Sequence, residues 1–320
     1  MITTALTDLF ALSHPIVLAP MGGVSGGHLA ATVSNAGALG LVGGGYGDPD
    51  WLRVELHRVR SETTRAWGVG LITWSIKPGV LDLVLTYRPH AVMLSFGDPR
   101  PYAQAIKAAA CRFICQVQDV EQALVAREAG ADLIVAEGTE AGGHGGTRAT
   151  LPLVPAVVDA VAPTPVIAAG GIGDGRGLAA ALMLGAHGAL LGTRFYASHE
   201  ALGRDEAKRR IVAASGHETA RTRVFDLVRG YDWPPPYLGR ALRNRFMSRW
   251  DGRENELARR SALERPAFQA AARDGDFETA MVWAGEVVDL IRSVDSAAAL
   301  VAQISAAAEA RLQTVGNFVR

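Results

Sequence analysis

The sequence predicts an α/β chain folded as a (β/α)8 TIM barrel with a small helical insertion. Eight short apolar runs alternate with helical patterns over the first two-thirds of the chain. The runs are continuous rather than alternating, which marks strands buried on both faces. Glycine clusters follow several of them.

The predicted strands fall at 15–20, 38–42, 67–72, 91–95, 112–117, 133–136, 165–169 and 188–191. Helical patterns occupy 26–35, 49–60, 79–87, 101–109, 120–129, 153–160 and 175–184. Junctions such as Asn35-Ala36-Gly37 and Leu184-Gly185-Ala186 carry helix-ending signals. Strands separated by helices pair in parallel through right-handed crossovers. An open doubly wound sheet meets that demand as well as a closed barrel does. The number of strands and the glycines that follow them favour the barrel. A dinucleotide-binding domain asks for G-x-G-x-x-G after the first strand and an acidic residue about 20 positions later. Neither Pro20-Met21-Gly22-Gly23 nor Gly171-Ile172-Gly173-Asp174-Gly175 has that spacing.

Residues 1–203 read as the barrel. From 204 to 270 the chain is rich in Arg and Glu and is broken by Trp233-Pro234-Pro235-Pro236, which reads as a helical insertion. Residues 271–320 return to Ala, Val and Leu at helical spacing and read as helices that come back to cover the barrel.

Lys plus Arg equals Asp plus Glu, at 32 each, so the formal net charge of the 320 residues is zero. No global field draws the chain to nucleic acid or to an anionic membrane, although a local phosphate site stays open. The basic stretch 240–260 is interspersed with acids and reads as a solvated helix face. Residues 1–12 carry no secretory pattern, and no apolar run reaches transmembrane length, so a cytoplasmic protein is expected. Cys111 and Cys115 lack the partners for a disulfide framework or a zinc site and read as buried thiols.

In a barrel of this kind the active site is built from the loops after the strand C-termini. That rule sorts the histidines. His14, His90 and His187 precede strands, His28 and His57 fall in or beside helices, and His199 and His217 lie beyond the barrel. Only His144 sits in a glycine-rich segment directly after a strand, Glu137-Gly-Thr-Glu-Ala-Gly-Gly-His-Gly-Gly146. Glycines there allow close backbone approach to a flat ligand and leave the imidazole accessible. Backbone N–H groups at Gly170, Gly171, Gly192 and Thr193, after the seventh and eighth strands, suit a phosphate monoester. After the first strand, Ala19-Pro20-Met21-Gly22-Gly23 offers rigid backbone and small side chains to a planar ring.

Taken together, the segments APMGG from Ala19, EGTEAGGHGG from Glu137, AAGGIGDG from Ala168 and LGTRF from Leu191 resemble the nitronate monooxygenase family, formerly the 2-nitropropane dioxygenases. The resemblance covers the barrel to about Tyr196 and continues more loosely through Gly275-Asp276-Phe277 and Ala284-Gly285. It implies FMN held non-covalently in the barrel mouth. Ala19, Pro20, Met21 and Gly22 would line its ring system. Gly142 and Gly143 would approach the flavin, with Glu137 at the head of the same segment counted among the cofactor contacts. Gly170, Gly171, Gly192 and Thr193 would bind the phosphate. Gln116 would make a polar contact to the ring or ribityl chain, and His144 matches the catalytic base. One position departs. Many members end the third strand in G-V-N, with the Asn on the flavin, whereas here Gly70 stands there, within Trp67-Gly-Val-Gly70-Leu-Ile-Thr-Trp74. Trp74 is a candidate to fill the space, with a packing role as the other reading.

The activity implied is oxidation of alkyl nitronates, with nitroalkanes as further substrates to be tested, by molecular oxygen to a carbonyl compound and nitrite. The partners are then a small-molecule substrate and O2, with no metal, nucleic acid or membrane, and a homodimer left open. Flavin-dependent enoyl-ACP reductases share the EAGGH and AAGGI loops and form the alternative; they would draw hydride from NAD(P)H, and the stretch 240–260 could then serve an acyl carrier protein. A non-catalytic flavin-binding regulator is the third reading, and it has no need of a histidine on the flavin-facing segment.

Overall fold

A computed structural model describes residues 2–318. Residue 1 of the N-terminal stretch and the last two of the predicted tail lie outside the described residues. Eight parallel strands form one sheet: β1 (Ile16–Leu18), β2 (Gly40–Gly43), β3 (Trp67–Ile72), β4 (Ala91–Ser95), β5 (Arg112–Val117), β6 (Leu133–Glu137), β8 (Val166–Ala169) and β9 (Ala189–Leu191). Strand β7 (Gly143–Gly145) belongs to a second sheet. The order β1-β9-β8-β6-β5-β4-β3-β2 closes where Val17 bridges Leu39 and the Leu18 N–H donates to the Leu39 carbonyl at 2.9 Å. All eight strands overlap the runs expected from the sequence.

The continuous apolar runs have a two-sided explanation. Val17, Leu41, Ala91, Met93, Leu133 and Val135 fill the barrel interior. Their neighbours Ile16, Leu18, Val42, Val92, Leu94 and Ile134 face the surrounding helices. Both faces of the strands are covered, so apolar residues fill both periodic positions along most of their length. The helix Ala5–Phe10 caps the N-terminal end of the barrel with Leu6 and Phe10, which join the inner cluster. The Thr4 side chain starts this helix through a capping box and donates its hydroxyl to the His187 carbonyl at 2.6 Å. Chemistry is therefore confined to the opposite end.

The segment 204–270 is mainly helical, as the sequence suggests, but it also contributes two strands that the sequence reading lacks. Helices Asp205–Ala213, Val224–Arg229, Arg245–Trp250 and Glu254–Asp274 enclose β10 (Thr219–Thr222) and β11 (Leu238–Leu242). Its own core is Val224, Phe225, Val228, Phe246, Met247, Trp250, Leu257 and Phe268. Strand β11 pairs antiparallel with β10 on one side and with β7 on the other, setting Gly239 opposite His144. The glycine-rich segment after β6 is thus a strand in part and not only a loop. Gly-His-Gly has little intrinsic strand preference, so the pairing with β11 imposes it.

The tail returns to the barrel. Helix Ala297–Gln313 packs against the helices Gly175–Met183 and Gly27–Asn35. A Cβ on Gly175 would lie 2.4 Å from the Ala308 backbone nitrogen, so this crossing needs glycine. Cys111 and Cys115 are buried free thiols. Among the described residues no helix is long and apolar enough to cross a membrane, and no cluster of potential metal ligands occurs.

Candidate active site

One cavity of about 610 Å³ opens at the C-terminal end of the barrel, a size suited to a cofactor with a substrate beside it. The expected catalytic and cofactor-binding residues line it: Ala19, Pro20, Met21 and Gly22 after β1, Gly70 in β3, Gln116 in β5, Glu137 closing β6, Gly142, Gly143 and His144, Gly170 and Gly171 after β8, and Gly192 and Thr193 after β9.

One end of the cavity is backbone. Gly170 and Gly171 adopt φ +96° and +73°, a left-handed conformation that other residues enter only at a cost. A Cβ on Gly170 would come within 2.9 Å of the Gly138 carbonyl oxygen. Glu140 borders the same region, but its carboxylate is engaged by the Thr150 N–H at 3.0 Å and the Thr150 hydroxyl at 2.7 Å. Arg221 and Arg240 each donate to the Thr139 carbonyl at 2.9 Å and brace the loop from the side of the insertion. Burial holds both guanidinium groups below their ordinary pKa, with neighbouring carboxylates opposing it.

At position 70 the barrel leaves no room for a side chain. Val69 and Leu71 face the helices, so Gly70 faces the barrel interior. There a Cβ would sit 2.2 Å from Pro20 Cγ. The Pro20 ring occupies the volume that an Asn side chain would need. Trp74 does not line the cavity; it packs edge-on against Tyr46 and Trp233 at 6.2 and 5.3 Å between centroids, which is the packing role.

Glu137 is buried at the end of β6 and accepts from Gln116 Nε2 at 2.8 Å and Gln118 Nε2 at 2.9 Å. Burial outweighs these hydrogen bonds and the pull of Arg221, and pushes its carboxyl up to about 7. It lines the cavity as a group that is partly neutral at physiological pH.

His144 stands on the wall that the insertion builds. Its ring lies flat on Trp233, 3.5 Å between centroids with a 4° interplanar angle, and Trp283 leans on it at 5.2 Å. Its Nε2 meets Asp226 Oδ2 at 2.8 Å. Both side chains are buried, at 8% and 3% exposure. Burial lowers the imidazole pKa below 6.5; Asp226 opposes that, while Arg229 and Arg221 add to it. The ring is accordingly neutral near pH 7.

Asp226, Arg229, Tyr231, Trp233 and Trp283 escaped the sequence reading. Arg229 lies over the rings of Tyr231 and Tyr46 at 4.6 and 5.5 Å, and those two rings stack at 3.8 Å. Trp233 Nε1 donates to Tyr46 Oη at 2.9 Å, tying the insertion to the loop after β2. A signal for Asp226 was present: it is a single carboxylate within the apolar run Val224-Phe225-Asp226-Leu227-Val228.

A closed (β/α)8 barrel with a glycine-lined cavity at its C-terminal mouth and one imidazole on the cavity wall defines a ligand-binding barrel enzyme. The sequence model of the nitronate monooxygenase family matches residues 3–79 and 73–307, and the chain belongs to that family. A Staphylococcus aureus (strain Newman) protein named probable nitronate monooxygenase is 30% identical, covering 88% of this chain and 90% of that one. Among solved structures, nitroalkane oxidase from Streptomyces ansochromogenes is 31% identical with a TM-score of 0.83, covering 97% of this chain and 99% of that one. FabK from Thermotoga maritima is 31% identical with a TM-score of 0.89 over the whole of both chains. The protein is a flavin oxidoreductase of this family.

The residues present fit a flavin. At Gly170 and Gly171 the cradle presents backbone where a Cβ would collide or strain, and the small residues after β1 leave flat backbone for a ring.

Proposed function

We propose that the bound flavin is FMN and that the reaction is oxidation of alkyl nitronates by molecular oxygen to a carbonyl compound and nitrite. The observation that carries this reading is His144, a buried neutral imidazole on the wall of a glycine-lined cavity. Gly170, Gly171, Gly192 and Thr193 would hold the phosphate, Ala19, Pro20, Met21 and Gly22 the ring system, and Gln116, Glu137, Gly142 and Gly143 the remaining edge. FMN supplies the electron-accepting ring when bound.

The chain's own part is to bind, orient and move a proton. A neutral nitroalkane must lose its α-proton before it can give up electrons. His144 accepts that proton; Trp233, Trp283 and the buried setting keep water from doing so unselectively. A nitronate arrives already deprotonated and makes no use of that proton transfer. The substrate partners are this small molecule and O2. Ion pairs of Arg245 with Glu278, Arg249 with Glu264 and Arg253 with Glu256 neutralise much of the stretch 240–260, which speaks against an acyl-carrier or nucleic-acid surface. Unpaired buried thiols support a reducing, cytoplasmic setting.

The test is anaerobic mixing of the purified holoenzyme with propyl-2-nitronate and, separately, with NADH or NADPH. Bleaching by the nitronate, followed by nitrite release on admission of oxygen, is expected. Rapid bleaching by NAD(P)H, with reduction of an enoyl thioester and no response to nitronate, overturns the reading in favour of an enoyl reductase. Release of FAD instead of FMN on denaturation overturns the cofactor part alone.

A further inference from the structure

We infer that Asp226 is a positioning residue that fixes the tautomer of His144 and so makes Nδ1 the basic nitrogen of the site. The inference rests on the reading of His144 as the base and adds to it the group that aims it.

The geometry carries the argument. An ionised carboxylate can only accept, so the 2.8 Å contact between His144 Nε2 and Asp226 Oδ2 places the imidazole proton on Nε2. The lone pair is then on Nδ1. Rotation of the ring about its side-chain bonds is blocked by Trp233, stacked on one face at 3.5 Å. One contact sets which nitrogen is basic and the other sets the plane in which its lone pair points. When the imidazole takes a proton, the buried carboxylate is already in place to stabilise the cation, so no reorganisation is needed.

Asp226 is costly as a purely structural residue. It lies at 2% exposure within the apolar core of the insertion, between Phe225 and Leu227. Its Oδ1 has no hydrogen-bond partner, and the nearest cation, Arg229, stands 3.8 Å away. A buried carboxylate with one orphan oxygen is poorly compensated. An apolar residue would pack this helix face better, and the interaction that repays the carboxylate is the one with His144.

The charged and titratable groups around the pair come from three elements. Arg229 lies on the same helix as Asp226, Arg221 lies on β10, and Tyr46 follows β2. Both arginines disfavour imidazolium, and Asp226 alone among these groups favours it. Loss of its charge therefore leaves every remaining electrostatic influence acting in one direction.

The experiment uses flavin-loaded protein carrying 15N-labelled histidine. Nitrogen chemical shifts report the His144 tautomer directly, with His144→Asn used to assign its signals. The wild type is expected to show the Nε2–H form, and an Nδ1–H form overturns the inference whatever the enzyme oxidises. In Asp226→Asn the His144 titration is expected to move to lower pH. The acidic limb of kcat/KM on nitroethane moves with it, kcat falls by about 10²–10⁴-fold, and KM stays near the wild-type value. Asp226→Glu is expected to restore the position of the limb. A fall in amplitude with an unmoved inflection would mean that Asp226 only supports the fold, and it overturns the inference. If the wild type oxidises neither nitroethane nor its nitronate, the reaction proposed above fails, and the nitrogen shifts still decide the role of Asp226.

Discussion

The barrel and the insertion meet at the same cavity but contribute to it in different ways. The barrel offers backbone: Gly170, Gly171, Gly192 and the Pro20–Gly70 contact shape the ligand volume almost without functional side chains. The insertion offers side chains: Asp226 and Trp233 hold the imidazole, with Arg229 beside them. Holding a cofactor tolerates no Cβ in the wrong place, whereas aiming a base requires particular groups at particular distances. The contrast teaches that cofactor binding and the aiming of the base are separable in this molecule, because the cradle glycines lie on the barrel and the groups that hold His144 in place, Asp226 and Trp233, lie on the insertion.

The largest effect is expected where the barrel has no room. Gly43→Ala would place a Cβ 2.3 Å from the Met21 carbonyl oxygen, which is backbone and cannot rotate aside. Flavin content after purification should fall to near zero, with destabilisation of about 1–3 kcal/mol or more in denaturant melts. Gly70→Asn should act in the same direction through Pro20. A yellow, stable Gly70→Asn protein would show that the Pro20 ring yields easily and would blur the contrast.

Next in size is His144→Asn. Flavin loading and thermal stability should stay close to wild type, because the substitution leaves the cradle at Gly170 and Gly171 and the barrel core untouched. Turnover of neutral nitroalkane should drop by about 10²–10⁴-fold, and turnover of preformed nitronate should drop less. Equal losses on both substrates would recast His144 as a holder of the anion. Unchanged rates on both would remove it from the mechanism.

The pH dependence sharpens the same division. Burial lowers the His144 pKa below 6.5, and the base is active when unprotonated. The acidic limb of kcat/KM for neutral nitroalkane should therefore lie at lower pH than the 6.5 of an ordinary imidazole. The smallest effect belongs to the barrel. Glu137 is pushed up to about 7 by burial, so the folded state binds a proton that the unfolded chain has released above its ordinary value of 4.5. The stability it lends is present below 4.5 and is lost as pH rises through about 7. Glu137→Gln should flatten that slope in the melting temperature across this window without touching the nitroalkane inflection.

The two regions also differed in how far the sequence revealed them. The barrel was legible because its signals are local. Runs such as Ala91–Ser95 are strands by composition, and Gly170-Gly171 follows one directly. What the insertion brings to the site was not. His144 and Asp226 are 82 positions apart, and the strand character of Gly143–Gly145 exists only through pairing with Leu238–Leu242. Trp233 read as part of a proline-marked break, yet it is the residue stacked on the imidazole. Arg240 read as one of a solvated run, yet it is buried and braces the loop after β6. A charge or an aromatic ring in an irregular segment carries no periodicity, so only the folded arrangement tells its role.

The separation of cofactor binding from base catalysis has one direct test: the ratio of nitroethane to ethylnitronate turnover in His144→Asn, measured on protein whose FMN content has been quantified. The account predicts full FMN occupancy and a ratio lowered by at least about tenfold against wild type, since general-base assistance is worth about 10²–10⁴-fold. Loss of FMN together with both activities, at an unchanged ratio in the remaining loaded fraction, would contradict it.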